Sequence, residues 1–134
     1  MKNRRVSLGF TLTELLIVII ILGLLMSLVA PKMFSKVDST KTKTAAVQLE
    51  MIATSLDTYR LDLGEYPENL NELRSSTKKN WDGPYLPKDV PLDPWGNPYL
   101  YSRTGDKQNP YELKSLGKDG VPGGEDDNAD VVFK

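Results

Sequence analysis

The sequence contains no cysteine and no histidine. Without cysteine the chain can form no disulfide, on which small domains outside the cytoplasm often rely, and this favours a metal ion or oligomerisation as another means of stabilisation. Without histidine it lacks the commonest general base and the commonest zinc ligand. Catalysis would then need a carboxylate pair, a serine and lysine arrangement, or a catalytic metal. We therefore predict that the chain is not an enzyme.

The chain also lacks an excess of basic residues. Its 17 Lys and Arg are balanced by 18 Asp and Glu, and the sequence pI is near 5.5. Such a balance gives no electrostatic footprint for nucleic acid, so we expect no nucleic-acid partner. The length of 134 residues is enough for one small domain carried on a long helix.

One long apolar run stands near the N-terminus, from Leu15 to Ala30. Residues 10–30 would form a helix about 31 Å long, which matches the hydrocarbon core of a bilayer. The leader before this run is basic, with Lys2, Arg4 and Arg5. The positive-inside rule then predicts a single-pass protein whose N-terminus is cytoplasmic and whose C-terminal region is periplasmic, outside the inner membrane.

Glu14 is the exception in this apolar segment. An ionisable group in a membrane helix costs about 2.5–3.5 kcal/mol on insertion scales and therefore needs a function. A secretory signal would be cut after its apolar core, whereas here the small residue, Gly9, precedes the core. A plain membrane anchor has no need of Glu14. Neither interpretation accounts for Gly9, Phe10 and Glu14 together.

The basic leader, Gly9-Phe10 and Glu14 resemble the prepilin processing site of type IV pilins and type II secretion pseudopilins. The resemblance implies that a prepilin peptidase/methyltransferase cleaves between Gly9 and Phe10 and methylates the new Phe10 amine. It also implies assembly into a homopolymeric filament. There Glu14 of one subunit would pair with the Phe10 amine of a neighbour, which sets axial register more than it adds net stability.

A second apolar pattern predicts that the helix continues beyond Pro31, which should kink or locally open it. Apolar residues recur at helical spacing, and Gly64 is a natural helix terminator. The stripe consists of Ala45, Leu49, Ile52, Leu56, Tyr59 and Leu63. The chain thus divides into a leader (1–9), a transmembrane or filament-core helix (10–30), an amphipathic continuation (31–63) and a C-terminal globular region (64–134).

The globular region is punctuated by proline and has three short segments with strand character. We expect an α+β fold in which the long helix packs on a small three-stranded antiparallel sheet. Asp93, which precedes Pro94, is expected to accept backbone hydrogen bonds in a turn. The strands are predicted at 98–101, 111–116 and 130–133, with a short second helix at 68–74.

Three downstream segments resemble, in order, elements of the major, G-type pseudopilin of type II secretion systems, a type IV pilin-like protein. Tyr59–Pro67 resembles the element that closes the long helix, and Pro91–Tyr99 resembles an Asp-Pro-Trp-Gly loop. The third resembles a C-terminal calcium loop and comprises Ser115–Gly120, Gly123, Gly124 and Asp130. The chain departs from the family at its end, where members often have a Trp-containing tail.

The segment from Asp119 to Asp130 is rich in acids and glycines, which fits either a solvated loop or a site for Ca²⁺, a cation that takes six to eight oxygens. It does not follow the EF-hand pattern. The resemblance implies side-chain ligands from Asp119, Asp126 and Asp127, with backbone carbonyls from Leu116 and from Val121 or Gly123. Glu125 and Asp130 are weaker candidates. Calcium should order the loop and pin the last strand.

These features predict a structural subunit of the periplasmic pseudopilus, which polymerises to drive export of folded exoproteins across the outer membrane. The resemblance implies minor pseudopilins, an inner-membrane platform protein and a cytoplasmic ATPase as partners. A type IV pilin for adhesion, motility or DNA uptake explains the N-terminus equally well, but many pilins close their C-terminal half with a disulfide. A membrane-anchored calcium-binding module explains the anchor and the loop and leaves Glu14 unexplained.

Overall fold

The computed structural model describes residue 3 and residues 6–134. A long helix, α1, is followed by a short 3-10 helix, and the remaining elements are three strands and a second 3-10 turn. The basic residues of the leader, Lys2, Arg4 and Arg5, lie outside the described residues. The elements are α1 (Leu12–Leu63), 3-10 helix Leu70–Leu73, β1 (Leu100–Arg103), β2 (Tyr111–Ser115), 3-10 turn Asp126–Asn128 and β3 (Val131–Val132).

The chain forms two compact units, residues 1–37 and residues 38–134, and α1 contributes to both. In the first unit α1 begins at Leu12, and from Leu15 to Ala30 it is apolar on every side apart from Ser27. Side chains from Leu15 to Val29 are between 48% and 71% exposed where they are large and apolar. By length and composition, α1 is the one helix among the described residues that could cross a membrane.

The helix continues through Pro31, so the kink or local opening predicted there does not end it. Proline removes one N–H donor and disfavours the helical interior, but the residues on both sides are strong helix formers. The predicted amphipathic continuation is confirmed as helix as far as Leu63, and Gly64, with φ of +83°, ends it. Glycine adopts this left-handed conformation without the steric cost of a Cβ.

In the second unit the predicted stripe of α1 is the core, because Leu49, Ile52, Leu56 and Tyr59 are fully buried. These side chains belong to one apolar cluster with residues of the 3-10 helix, the proline-rich segment and β2. The cluster includes Leu73, Leu86, Tyr99 and Leu113. The burial of one helical stripe against these elements explains why the second half of α1 is amphipathic.

The three strands form an antiparallel sheet, as predicted, and their order in the sheet is β1-β2-β3. Tyr101 lies opposite Leu113, and Ser115 lies opposite Val131. The strand at 98–101 was placed too early, because Pro98 has no N–H for a ladder and pairing starts at Leu100. The connection from β2 to β3 carries the acidic segment, so this segment leaves the sheet at the C-terminal end of β2.

A partly buried polar cluster joins α1 to the 3-10 helix Leu70–Leu73, which lies within the short second helix predicted at 68–74. The Glu72 carboxylate accepts hydrogen bonds from the Tyr59 hydroxyl at 2.8 Å and from the Lys78 ammonium at 3.2 Å. Burial and this bond to Glu72 raise the pKa of Tyr59 to about 12. Burial also acts to raise the pKa of Glu72, but the bonds from Tyr59 and Lys78 outweigh it and lower the pKa.

Candidate functional site

The predicted cleavage position lies in an extended segment before α1. Phe10 is 88% exposed, and a Cβ built on Gly9 would meet no atom of the described chain within 4 Å. The peptide bond between these residues precedes the first helical residue, Leu12, so it does not belong to the helical ladder. A peptidase needs an accessible and unfolded segment, and this stretch of the chain is one.

Glu14 has a local partner that the sequence reasoning missed. The Thr11 hydroxyl accepts a hydrogen bond from the Glu14 N–H at 3.1 Å, and the Glu14 carboxylate lies 3.4 Å from the Thr11 N–H. Thr11 also accepts the first helical bond through its carbonyl, from Leu15 N–H at 3.1 Å. This is a capping box, and its signal, Thr-x-x-Glu before an apolar run, is present in the sequence.

The acidic segment after β2 folds as a series of tight turns. Its backbone has φ of +76° at Gly117, +66° at Gly120, +86° at Gly123 and +94° at Gly124. Asp126 also has a positive φ, of +52°, which is uncommon for a residue with a side chain. The glycines thus allow the chain to turn back repeatedly over a short length.

The two ends of this loop lie side by side. The Lys118 N–H donates to the Asp127 carbonyl at 3.3 Å, and a Cβ on Gly117 would come within 2.5 Å of the Ala129 carbonyl oxygen. The 3-10 turn is closed by Asn128 N–H bonded to the Glu125 carbonyl at 3.0 Å. Leu116, whose carbonyl is a predicted ligand, therefore adjoins the strand-like exit of the loop.

The carboxylates of the loop are not yet gathered around one point. Within residue 3 and residues 6–134, no three acidic side chains are grouped closely enough to hold a metal ion. Asp119 instead accepts a hydrogen bond from the Val121 N–H at 3.1 Å. Asp126 and Asp127 lie in the 3-10 turn at the other end of the loop. The structure thus brings the two ends together but leaves the predicted ligands dispersed.

Two observations fit a hard cation at this loop. The available donors are oxygens, from carboxylates and turn carbonyls, and these are the ligands that Ca²⁺ prefers. In addition, Asp130 Oδ1 is buried without a hydrogen-bond partner among the described residues, while its other oxygen lies 4.0 Å from Lys114 Nζ. A buried carboxylate oxygen that lacks a partner is costly, and a bound cation would satisfy it. The donor set therefore fits calcium.

The turn at Asp93 is built as the sequence predicted. Asp93 Oδ1 accepts hydrogen bonds from Trp95 N–H at 3.1 Å and from Asn97 N–H at 2.8 Å. The sequence reasoning did not foresee the second oxygen, which accepts a bond from the Ser115 hydroxyl at 2.6 Å. The available signal was the alternation of β2, which places Ser115 on the same inward face as Leu113.

Comparison of the sequence with known families gives two matches that together cover nearly the whole chain. Residues 4–30 match the prokaryotic N-terminal methylation motif, and residues 32–134 match the family described as type II secretion system (T2SS), protein G. The boundary between the matches falls at Pro31, where the uniformly apolar run ends.

Similar full-length proteins carry one name. The type II secretion system core protein G of Pseudomonas aeruginosa is 42% identical, over 96% of this chain and 96% of that protein. The protein of the same name from Vibrio cholerae is 36% identical, over 98% of this chain and 94% of that protein. A crystal structure of the major pseudopilin from the type 2 secretion system of enterohaemorrhagic Escherichia coli superimposes with a TM-score of 0.60. It is 28% identical and covers 72% of this chain and 85% of that chain.

Proposed function

We propose a function from the premise that this chain belongs to the type II secretion system protein G family. It is a structural subunit of the pseudopilus of that system. One observation carries this conclusion. The first part of α1 exposes its apolar side chains, and the residues that follow it, 32–134, match the protein G family. Polymerisation of such subunits drives export of folded proteins across the outer membrane.

The subunit is made as a precursor anchored in the inner membrane by the first half of α1, with residues 38–134 in the periplasm. A prepilin peptidase/methyltransferase cleaves at Gly9-Phe10 and methylates Phe10. The helix then moves from the bilayer into the filament, where its apolar surface is covered by copies of itself. Because each subunit adds head to tail through a heterologous contact that does not close, the product is a helical fibre.

Glu14 changes partner during this assembly. In the precursor its carboxylate faces the N-terminus of α1, where it forms the capping box with Thr11. Cleavage creates an ammonium on Phe10, the residue next to this cap. The charged pair between Glu14 and the Phe10 amine of a neighbouring subunit is stronger than the 3.4 Å contact to a neutral N–H. The exchange therefore favours the assembled state and fixes its register.

The acidic loop binds calcium through Asp119, Asp126 and Asp127, with carbonyls of Leu116 and Val121. Bound there, calcium would offset the mutual repulsion of the acidic residues of the loop, and Asp119, Asp126 and Asp127 would hold it through their carboxylates. It thereby holds β3 in place, because the loop leads directly into that strand. The subunit has no catalytic step of its own. Minor pseudopilins, a platform protein and a cytoplasmic ATPase complete the machine.

The pseudopilus function is tested by deleting the gene and measuring exoproteins in the culture medium, with surface fibres counted in the same samples. We expect folded exoproteins to disappear from the medium while surface pili persist, and the wild-type gene to restore secretion. Intact secretion with loss of surface pili would instead identify a type IV pilin.

The calcium site is tested on the full chain in detergent by thermal melting with Ca²⁺ or with a chelator. Because a ligand that binds only the folded state must stabilise it, we expect a higher melting temperature with Ca²⁺. Asp127→Asn should reduce this shift, whereas the control Asp89→Asn, at an exposed position outside the loop, should keep it. An identical melting temperature with Ca²⁺ and with chelator would exclude the site.

A further inference from the structure

The buried carboxylate of Asp93 connects two segments that are distant in sequence. Asp93 is only 4% exposed, and its carboxylate accepts three hydrogen bonds. Two come from its own turn and suffice to hold that turn. The third comes from the Ser115 hydroxyl at 2.6 Å, at the end of β2, where the acidic loop begins. This third bond joins the turn to the start of the acidic loop.

Ser115 passes this contact on to the backbone of the loop. Its side chain is completely buried, and its oxygen accepts a hydrogen bond from the Gly117 N–H at 3.2 Å. A hydroxyl has one proton and two acceptor lone pairs. Because the proton is donated to Asp93, a lone pair is free to accept from Gly117. The bond to Asp93 thus fixes the orientation of the Ser115 hydroxyl and the direction from which its oxygen can accept the Gly117 N–H.

The bond to Gly117 N–H sets the direction of the Leu116 carbonyl. Both groups belong to one planar, trans peptide unit, in which the N–H and the C=O point in opposite directions. Gly117 also has a positive φ, and a Cβ at this position would come within 2.5 Å of the Ala129 carbonyl oxygen, so the turn requires glycine here. The Leu116 carbonyl, one of the proposed calcium ligands, is therefore oriented by Ser115.

The same turn touches the loop at a second point, beyond Asp119. The Asn97 side-chain amide would lie 3.3 Å from a Cβ on Gly120, and the Asn97 N–H is itself bonded to Asp93. The proposed ligands Leu116 and Asp119 are thus flanked on both sides by groups that Asp93 holds in place. A turn that served only to reverse the chain would not need both contacts.

We propose that Asp93 and Ser115 are positioning residues for the calcium loop: they fix the orientation of the Leu116–Gly117 peptide, whose carbonyl is a proposed ligand, and would not touch the cation themselves. This inference rests on the proposed calcium site. Outer-shell groups of this kind typically contribute about 10- to 100-fold to metal affinity when they orient a ligand. The competing interpretation is that the Asp93–Ser115 bond only stabilises the fold.

The test measures the dissociation constant for Ca²⁺, by calorimetry or by competition with a chromophoric chelator, on the full chain in detergent. We expect Ser115→Ala to weaken calcium binding by about 10-fold or more. Asp93→Asn should weaken it to a similar extent, and it serves as the test if Ser115→Ala does not fold. Because both residues act through one chain of bonds, the double variant should bind no more weakly than the weaker single variant.

Ile52→Val is the control, because Ile52 is buried in the apolar core. It forms neither of the two hydrogen bonds, Ser115 to Asp93 and Gly117 to Ser115, that make up the proposed relay. This substitution should lower the melting temperature of the calcium-free protein and leave the calcium dissociation constant unchanged. Unchanged dissociation constants in both relay variants, with binding by the wild type, would overturn the relay and leave the calcium site standing. Failure of the wild type to bind calcium would overturn both.

Discussion

The two halves of α1 share one backbone conformation and differ in where their apolar side chains can be buried. In the first half, Ile17 and Leu25 are about half exposed, like the other large apolar side chains around them. In the second half, Leu49 and Ile52 are completely buried, while polar side chains face outward. The first half thus depends on a bilayer or on other subunits, whereas the second half is stabilised by its own domain.

This comparison explains how one helix can serve in two environments. The residues of the apolar core all lie beyond residue 38, so we expect the proposed transfer of the first half from membrane to filament to leave the core unchanged. Substitutions in the first half should therefore affect assembly without affecting domain stability. Substitutions of buried residues in the second half should lower domain stability without acting on the assembly contacts directly.

The largest effect is expected at Glu14. Glu14→Ala should abolish fibre assembly and secretion, because it removes the charge proposed to pair with the Phe10 amine, and it should leave the thermal melting of the domain unchanged. Fibres are counted after overexpression, and exoproteins are measured in the medium.

Glu14→Gln is the matched variant, since glutamine can also complete a capping box but carries no charge. We expect it to fail in assembly as Glu14→Ala does. Normal assembly of Glu14→Gln would show that the residue acts as a helix cap, and the proposed exchange of partners would then be wrong.

The converse substitution is Ile52→Ala, in the fully buried stripe of the second half. Removing these methyl and methylene groups leaves a cavity and should lower the free energy of unfolding by about 2–5 kcal/mol. Denaturant unfolding of the full chain in detergent measures it. Val47→Ala, on the exposed side of the same helical segment, should change the free energy of unfolding by about 0.5 kcal/mol or less. Equal effects of the two would contradict the assignment of the core.

A smaller effect is expected at Glu72, which links the second half of α1 to the 3-10 helix. Glu72→Gln should lower the free energy of unfolding by about 1–3 kcal/mol at neutral pH, because the bonds from Tyr59 and Lys78 lose their charged acceptor.

The sign of the pH dependence follows from the lowered pKa of Glu72. The native state binds this proton less tightly than the unfolded state, so the contribution is present above the ordinary carboxyl pKa of about 4.3. It is lost as the pH falls through the native value. The difference between wild type and Glu72→Gln should therefore shrink on acidification, and a difference that grows would refute the assignment.

The smallest effect is expected at the ion pair between Lys118 of the acidic loop and Asp38, 3.3 Å apart. Lys118 is half exposed, so Lys118→Ala should change the free energy of unfolding by about 0–1 kcal/mol, less at high salt. Denaturant unfolding at two salt concentrations measures the effect. A loss as large as that of Ile52→Ala would mean that the loop contributes to the core.

The sequence predicted best the features that depend on local periodicity. The stripe from Ala45 to Tyr59 gave both the helix and its buried face, because side chains three and four residues apart share one side of a helix. The three strands and their antiparallel arrangement were also predicted, with ends displaced by one or two residues. The calcium ligands in the loop remain a prediction.

Other features were missed although their signals are local. The capping box of Thr11 and Glu14 has a local signal, Thr-x-x-Glu before an apolar run, whereas the cost of a charge in a membrane helix points to an intermolecular function for Glu14. The short helix predicted at 68–74 is present with Leu70 and Leu73 buried, but the prediction did not specify that it is a four-residue 3-10 helix. A short segment gains too few hydrogen bonds to offset the cost of helix nucleation.

The sequence by itself determined the helix with its two kinds of surface, the end of that helix at Gly64, the presence of three short strands and the family. Each of these depends on residue type at short spacing, which fixes conformation and burial before any distant contact forms. Only the tertiary structure decided that Asp93 accepts a hydrogen bond from Ser115, and that Glu72 accepts hydrogen bonds from Tyr59 and Lys78. A buried polar group must find a partner, but which partner it finds depends on how the elements pack.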